Sequence, residues 1–273
     1  MTAPAAILSD VHGNSPALEA VLRDVDRAGC TPVYVLGDVI NGMDPAGCLD
    51  LLRARDDVVC IKGNAEHYLL TPDLDCFPRR EEPLYRAVIA LLAWWKARLS
   101  TAHLAWVAPW PDLLFRDGAC LVHDSPVDRL YPKGWHVPGV ADRYQELCYH
   151  APGIRKEMPD GEMEVLLRLM AQRALSGVFC GHTHSPFSLR VGDRLVCNVG
   201  SVGMPLDGDP RSSWVLVRGE AQGQQVTIRR VAYDVESILR LVDDAEDYPD
   251  FGVAERREAY KARLATGRFV RHV

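Results

Sequence analysis

Five short clusters in this chain carry residues able to bind a metal. They are Asp10 and His12 in "SDVHGN", Asp38 in "LGDVI", Asn64 in "KGNAE", His123 in "LVHDSP", and His182 and His184 in "CGHTH". All are carboxylates, an amide or imidazoles; none is a thiol. Taken singly, each also reads as a hydrogen-bonded residue at a strand end. Five clusters in order, each after an apolar run and most beside a glycine, point instead to one shared site. His182 and His184 alternate along the chain, which puts both on one face of an extended segment. Oxygen and imidazole donors together suit Mn, Fe, Zn, Co or Ni better than Ca. Seven donors are enough for two ions. A pair of ions roughly 3.5–4 Å apart, sharing a carboxylate, can supply a hydroxide and clamp an in-line displacement at phosphorus.

The elements that must position these residues are legible as apolar runs rich in β-branched residues. Strands are expected over 5–8, 32–36, 58–61, 119–122, 177–180 and 194–198, unbroken enough to be covered on both faces. A more alternating pair, 214–218 and 225–231, reads as a hairpin. Helices are expected over 15–28, 45–55, 84–98, 101–107, 162–175 and 253–264. Ser15 as N-cap followed by Pro16 opens the first of them. Strand and helix alternate early and strands dominate later, so the class is α/β. In open α/β sheets the carboxyl ends of the strands line the ligand crevice, and that is where the five clusters fall.

The chain has 273 residues, 48% hydrophobic and 25% charged, with a formal net charge of -6. One large domain accommodates this length, and the whole of 1–273 is expected to form it. Within it lie a helical insert at about 79–111, an irregular cap-like segment at about 124–161 and a peripheral C-terminal helix at about 253–264. The acidic balance argues against a nucleic-acid polymer as partner. No apolar run reaches 18 residues, so no transmembrane helix is expected, and the N-terminus lacks the basic region, apolar stretch and cleavage site of a signal peptide. The eight cysteines form no CxxC pair and sit largely inside apolar runs, as buried thiols do in a reducing compartment. The expectation is a cytoplasmic protein with no membrane partner. Self-assembly into a homo-oligomer is compatible with the composition.

The ordered motifs SDVHGN, LGDVI, KGNAE, LVHDSP and CGHTH resemble those of the calcineurin-like metallophosphoesterase superfamily. "NVGSVGMPLDGDPRSSWVLV" and "LSTAHLAWVAPWP" are similar to segments of its bacterial diadenosine tetraphosphatase-like and YfcE-like phosphodiesterase branch. The likeness runs from residue 5 to about 233. It implies a four-layer α/β/β/α sandwich, two mixed sheets flanked by helices. It implies two divalent or trivalent metal ions, Mn or Fe foremost, with Zn, Ni or Co as substitutes. Asp10, His12, Asp38 and His184 would hold one ion. Asp38, Asn64, His123 and His182 would hold the other, with Asp38 bridging. Gly37 and Gly63 would let the loops turn tightly beside the ions.

The implied activity is hydrolysis of small phosphodiesters or nucleotide phosphoanhydrides by a metal-activated hydroxide. Asp38, Asn64 and His123 stand at its centre. A phosphomonoesterase or protein phosphatase is the alternative within the enzyme class, and a protein-binding scaffold is the alternative outside it. Two departures bear on the choice. Ala65 stands where many members carry a substrate-binding or leaving-group-protonating histidine, which counts against monoesters. Glu66 or His67 could supply the proton instead, or simply begin a helix. Asp124 stands where related chains often have glycine, and its charge would repel phosphate unless turned away or paired. Asn14 could bind phosphate or fix its own loop. Arg211 could reach a phosphate through its planar fork, or pair with Asp207 or Asp209. Tyr131, Lys133, Trp135, His136, Arg143 and Tyr144 could stack a base or bind phosphates, or pack a loop.

Overall fold

A computed structural model describes residues 3–70, 83–124, 160–219, 224–249 and 254–268. Its core is two five-stranded mixed sheets. The first is built from β1 (Ala5–Leu8), β2 (Val33–Val35), β3 (Val58–Cys60), β9 (Ser212–Arg218) and β10 (Gln225–Val231), in the order β10-β9-β1-β2-β3. The second comprises β4 (Leu113–Arg116), β5 (Ala119–Val122), β6 (Gly177–Cys180), β7 (Phe187–Val191) and β8 (Arg194–Asn198), in the order β4-β5-β6-β8-β7. β1, β2 and β3 run parallel, as do β5, β6 and β8, while the hairpin β9–β10 and the edge strands β4 and β7 run antiparallel to their neighbours.

Side-chain alternation assigns each strand residue to a layer. Leu8, Val33, Val35, Trp214 and Leu216 point outward into a core shared with α1 (Ser15–Arg27) and α2 (Pro45–Arg53). Ile7, Tyr34, Val215, Leu121, Phe179 and Leu195 point between the sheets. Cys120, Val122, Val178, Cys180 and Val196 face α6 (Asp160–Gln172). Two apolar faces per strand are why these runs read as unbroken. The result is the expected α/β/β/α sandwich. A satellite cluster joins α4 (Pro83–Ala97), α7 (Val235–Asp244) and α8 (Ala254–Thr266) through Trp94, Ile238, Val242, Tyr248 and Leu264. The remaining helices are α3 (Asn64–Leu70) and α5 (Thr101–Val107).

Several expectations are corrected. The N-cap of α1 is Asn14, not Ser15: its Oδ1 accepts from the Ala17 amide at 3.1 Å, while the Ser15 hydroxyl donates to Asp44. β4 and β7 were not anticipated, because edge strands need only one buried face, and Phe115 and Leu189 are 48% and 43% exposed. α7 is also additional. Asp234 caps it by accepting from the Ser237 amide, a start signal present in the sequence. Most of the 124–161 segment, with Tyr131, Lys133, Trp135, His136, Arg143 and Tyr144, lies outside the described residues. Among the described residues, no helix is long and apolar enough to cross a membrane.

Candidate metal centre

The parallel register Leu8↔Val35↔Cys60 ends β1, β2 and β3 level with one another, so Asp10, Asp38 and Asn64 emerge at one rim. β5 and β6 are parallel neighbours in the facing sheet and deliver His123 and His182 to the same rim. Backbone bonds tie the loops: Asp10 N–H to Gly37 O at 3.0 Å, His12 N–H to Asp38 O at 2.9 Å, Gly181 N–H to His123 O at 2.9 Å. Asp10, His12, Asp38, His182 and His184 all adopt positive φ, between 49° and 68°. Left-handed backbone is uncommon for residues with a side chain, and its concentration here marks a site the fold strains to build.

The structure brings all seven nominated residues together. Ligand atoms of Asp10, His12 and His184 form one group within 4.8 Å, and those of Asp10, Asp38 and His123 form another. The His12 and His184 Nε2 atoms are 2.9 Å apart. Asn64 Oδ1 lies 3.0 Å from His123 Nε2 and 3.1 Å from His182 Nδ1.

Two histidine tautomers follow from their outer partners. His123 Nδ1 is 2.8 Å from the Leu36 carbonyl, and His184 Nδ1 is 2.6 Å from the Met204 carbonyl. A carbonyl only accepts, so each Nδ1 carries a proton and each Nε2 faces inward, a metal donor once it carries no proton of its own. Asp10 Oδ1 faces the same space, 3.3 Å from His184 Nε2 and 3.6 Å from His12 Nε2. It is buried and has no hydrogen-bond partner, whereas Oδ2 accepts from the His182 amide at 2.8 Å. A buried carboxylate oxygen left without a hydrogen bond among imidazole nitrogens is costly unless a cation joins it. The donor set therefore fits a metal ion.

Asp10 is common to both groups, and Asp38, a member of the second, also reaches toward His12 of the first. Asp38 Oδ1 is 3.5 Å from His123 Nε2 and accepts from the Ala65 amide at 2.9 Å. Its Oδ2 is 4.0 Å from His12 Nε2 and accepts from the Asn41 side chain at 3.1 Å. One carboxylate oxygen thus faces each cluster. Both glycines do what the sequence suggested: a Cβ on Gly37 would land on the Gly63 nitrogen, and one on Gly63 would land on Asp38 Oδ1.

Proton affinities record the crowding. Burial would raise the Asp10 carboxyl, but the charges of His184 and His123 outweigh it and hold it well below the usual range. Burial would lower His123, but Asp38, Asp10, Asp124 and Glu66 together lift it to about 9. His12 is raised, its burial outweighed by Asp10 and Asp38. His182 is lowered by burial and by the charge of His123.

Four nominated residues have protein partners of their own in this structure. Asn14 is 1% exposed, and its amide donates to Gly203 O at 2.9 Å and to the Tyr233 hydroxyl at 3.2 Å while Oδ1 caps α1. It fixes its loop and has no group left for phosphate. Glu66 is fully buried, and both oxygens accept from backbone amides. Burial and the Asp38 charge raise its carboxyl, against the Gly63, Val39 and Asp38 amides that lower it. His67 lies 3.0 Å from Asp112, and Arg211 makes a 2.6 Å ion pair with Asp209. Asp124 acts on the site through its charge on His123 and His182.

Two contributors were not nominated. Asn41 orients Asp38, a contact signalled only by its position three residues on. Asn198 donates to the Gly181 carbonyl at 2.6 Å and to Thr183 at 3.1 Å, bracing the loop that carries His182 and His184.

The chain is 25% identical over 252 residues to an uncharacterized protein of Methanocaldococcus jannaschii, covering 87% of this chain and 90% of that one. A metallophosphoesterase from Sphaerobacter thermophilus superposes with a TM-score of 0.66 at 25% identity, over 97% of this chain and 99% of the other. A hypothetical protein from Pyrococcus horikoshii OT3 shares the fold at 18% identity and a TM-score of 0.62, over 91% and 96%. The model of the calcineurin-like phosphoesterase superfamily domain matches residues 4–221, a span that holds every candidate ligand. Sandwich, rim and motif order thus have one common explanation: the chain belongs to the calcineurin-like phosphoesterase superfamily and is a metal-dependent phosphoester hydrolase.

Proposed function

We propose that this protein hydrolyses small phosphodiesters or nucleotide phosphoanhydrides at a two-metal centre. Asp10, His12, Asp38 and His184 would hold one ion, and Asp38, Asn64, His123 and His182 the other. The observation that carries this reading is the Asp38 carboxylate, with Oδ1 toward His123 and Oδ2 toward His12. Two bound cations supply a lowered pKa for water and charge compensation for the phosphoryl oxygens. The chain supplies the rest. The Leu36 and Met204 carbonyls hold His123 and His184 as Nε2 donors. Ala65 and Asn41 aim the Asp38 oxygens, and the His182 amide takes the outer oxygen of Asp10.

Ala65 puts a methyl group where many relatives carry an imidazole, and neither Glu66 nor His67 replaces it. Leaving groups that depart without a strong proton donor are favoured, which supports diesters and anhydrides over alkyl monoesters. Oxygen and imidazole donors support Mn or Fe, with Zn, Ni and Co as substitutes. The six described cysteines are free buried thiols, which supports a cytoplasmic setting.

The test is a metal-supplemented comparison of bis-p-nitrophenyl phosphate, p-nitrophenyl phosphate and dinucleoside polyphosphates. The diester or the anhydride is expected to show the higher kcat/KM. A monoester preference across all metals would overturn the assignment. Inactivity with every divalent ion, alongside tight partner binding, would favour a scaffold.

A further inference from the structure

Glu66 has a larger part than its place at the start of α3 suggests. Its Oε2 accepts from the Asp38 amide at 2.9 Å and from the Gly63 amide at 2.8 Å. Its Oε1 accepts from the Val39 amide at 2.8 Å and the Ile40 amide at 3.3 Å. Four backbone donors from two loops converge on one side chain that is 0% exposed. The bond to Gly63 is the familiar reach of a third-position helix glutamate back to the residue that opens the helix. The other three bonds leave the helix and enter the loop after β2. In return, Asp38 Oδ1 accepts from the Ala65 amide in the first turn of α3. The two acidic residues cross-brace the loops, each accepting from the backbone beside the other.

Only an acceptor-only group with several lone pairs can take four donors. A glutamine of the same shape must turn an NH2 toward one pair of amides. Asp38 also sits at φ 52°, a conformation it does not adopt by preference.

We infer that Glu66 is a positioning residue that holds Asp38 and Asn64 in the geometry required for metal binding. This rests on the two-cluster reading proposed above. The cluster of Asn64, His123 and His182 depends on it more heavily, because Glu66 braces the loops of both Asp38 and Asn64. The cluster of Asp10, His12 and His184 shares only Asp38.

The experiment is Mn titration of the metal-stripped full-length protein, followed by electron paramagnetic resonance, for wild type, Glu66→Gln and Glu66→Asp. Wild type is expected to take two ions and develop an exchange-coupled spectrum. Glu66→Gln is expected to bind the weaker ion at least about tenfold less tightly. It should show an uncoupled spectrum at Mn levels that couple wild type, and regain turnover at high Mn with an unshifted pH profile. Glu66→Asp keeps the charge but loses reach, so it should fall between the two, and it carries the comparison if the glutamine variant does not fold. Unchanged Mn affinity with lost turnover, or a missing limb in the pH profile, would overturn the inference and restore Glu66 as a proton donor. If wild type binds a single ion, the two-metal reading fails. The position of Glu66 is then decided by whether its variants weaken that one ion.

Discussion

Asp38→Asn isolates the bridging carboxylate with the smallest change of shape, and its effect can be worked out for both states of the protein. In the metal-free protein, Asp38 Oδ1 accepts from Ala65 and Oδ2 from Asn41. If the new NH2 faces the Ala65 amide it meets a donor, at a cost of about 1–3 kcal/mol; if it faces Asn41, that side chain must turn its own oxygen inward to accept. One negative charge also leaves a pocket shared with Asp10 and Glu66, which offsets part of the loss, while the favourable charge contact with His123 and His12 goes with it. The metal-free variant should therefore melt a few degrees below wild type.

The metal-dependent difference is far larger. An ion present at 100 times its Kd stabilises the native state by about 2.7 kcal/mol. At roughly 2–4 °C per kcal/mol for a chain of this size, that is about 5–10 °C per ion. If losing a ligand weakens each site about 100-fold, the same Mn concentration yields only about 0.4 kcal/mol per ion, near 1 °C. The assay is thermal melting with Mn or with chelator, paired with elemental analysis. A wild-type shift of about 10–20 °C for two ions, shrinking to a few degrees in the variant, is the expected outcome. Equal shifts and equal metal content in the two proteins would refute the bridging role.

Other consequences are more compact. Gly37→Ala should destabilise by at least ~2 kcal/mol and abolish metal uptake, since φ is +91° and the new Cβ meets the Gly63 nitrogen; a folded, metal-replete variant in melts and elemental analysis would contradict this. His67→Ala should keep both metals and turnover within about threefold, with under ~1 kcal/mol of stability lost, because its pairing with Asp112 is at the surface; loss of turnover with both metals retained would make His67 the proton donor. His123 is raised from 6.5 to about 9, so its stabilising effect on the metal-free fold is complete below about pH 6.5 and lost as pH climbs through about 9. Mn affinity should rise over that window, since His123 must release its proton to bind, and calorimetric titration across it would expose a flat Kd if the assignment is wrong.

What was legible in the chain tracks how many constraints each residue satisfies. β5, β6 and β8 show continuous apolar runs because both faces are buried, and their limits are those expected. β4 and β7 satisfy only one apolar neighbour each and blend into turns. The seven nominated ligands stood out because they follow strand ends in a fixed order. Asn14, Glu66 and Arg211 could not be resolved, because the same side chain serves phosphate, proton or backbone according to which way it turns. That direction is set by partners distant in sequence: Gly203 and Tyr233 for Asn14, and the loop after β2 for Glu66. For Arg211 the partner was two residues away at Asp209, and an open pair of alternatives closed on the ion pair.

The same distinction explains why the centre needs so much support. Five nominated ligands hold left-handed backbone, at about 1–2 kcal/mol each for a residue with a side chain. Their sum, roughly 5–10 kcal/mol, rivals the whole net stability of an ordinary domain. Aspartate and histidine tolerate this conformation better than most residues, so the lower end of that range applies. Even so, the loops would relax if nothing opposed it. The opposing groups are buried and specific: Asn14 across to Gly203, Asn198 on Gly181, Ser201 on the Asp10 carbonyl, and Glu66 under both Asp38 and Gly63. Each binds backbone and leaves the inward side-chain atoms of Asp10, His12, His123 and His184 facing one another across the site. A rim with strained turns, held by carbonyls, amides and one buried carboxylate, keeps its ligand atoms converged before any ion arrives. That preorganisation is what a site must have if ion binding is to spend little of its free energy on rearrangement.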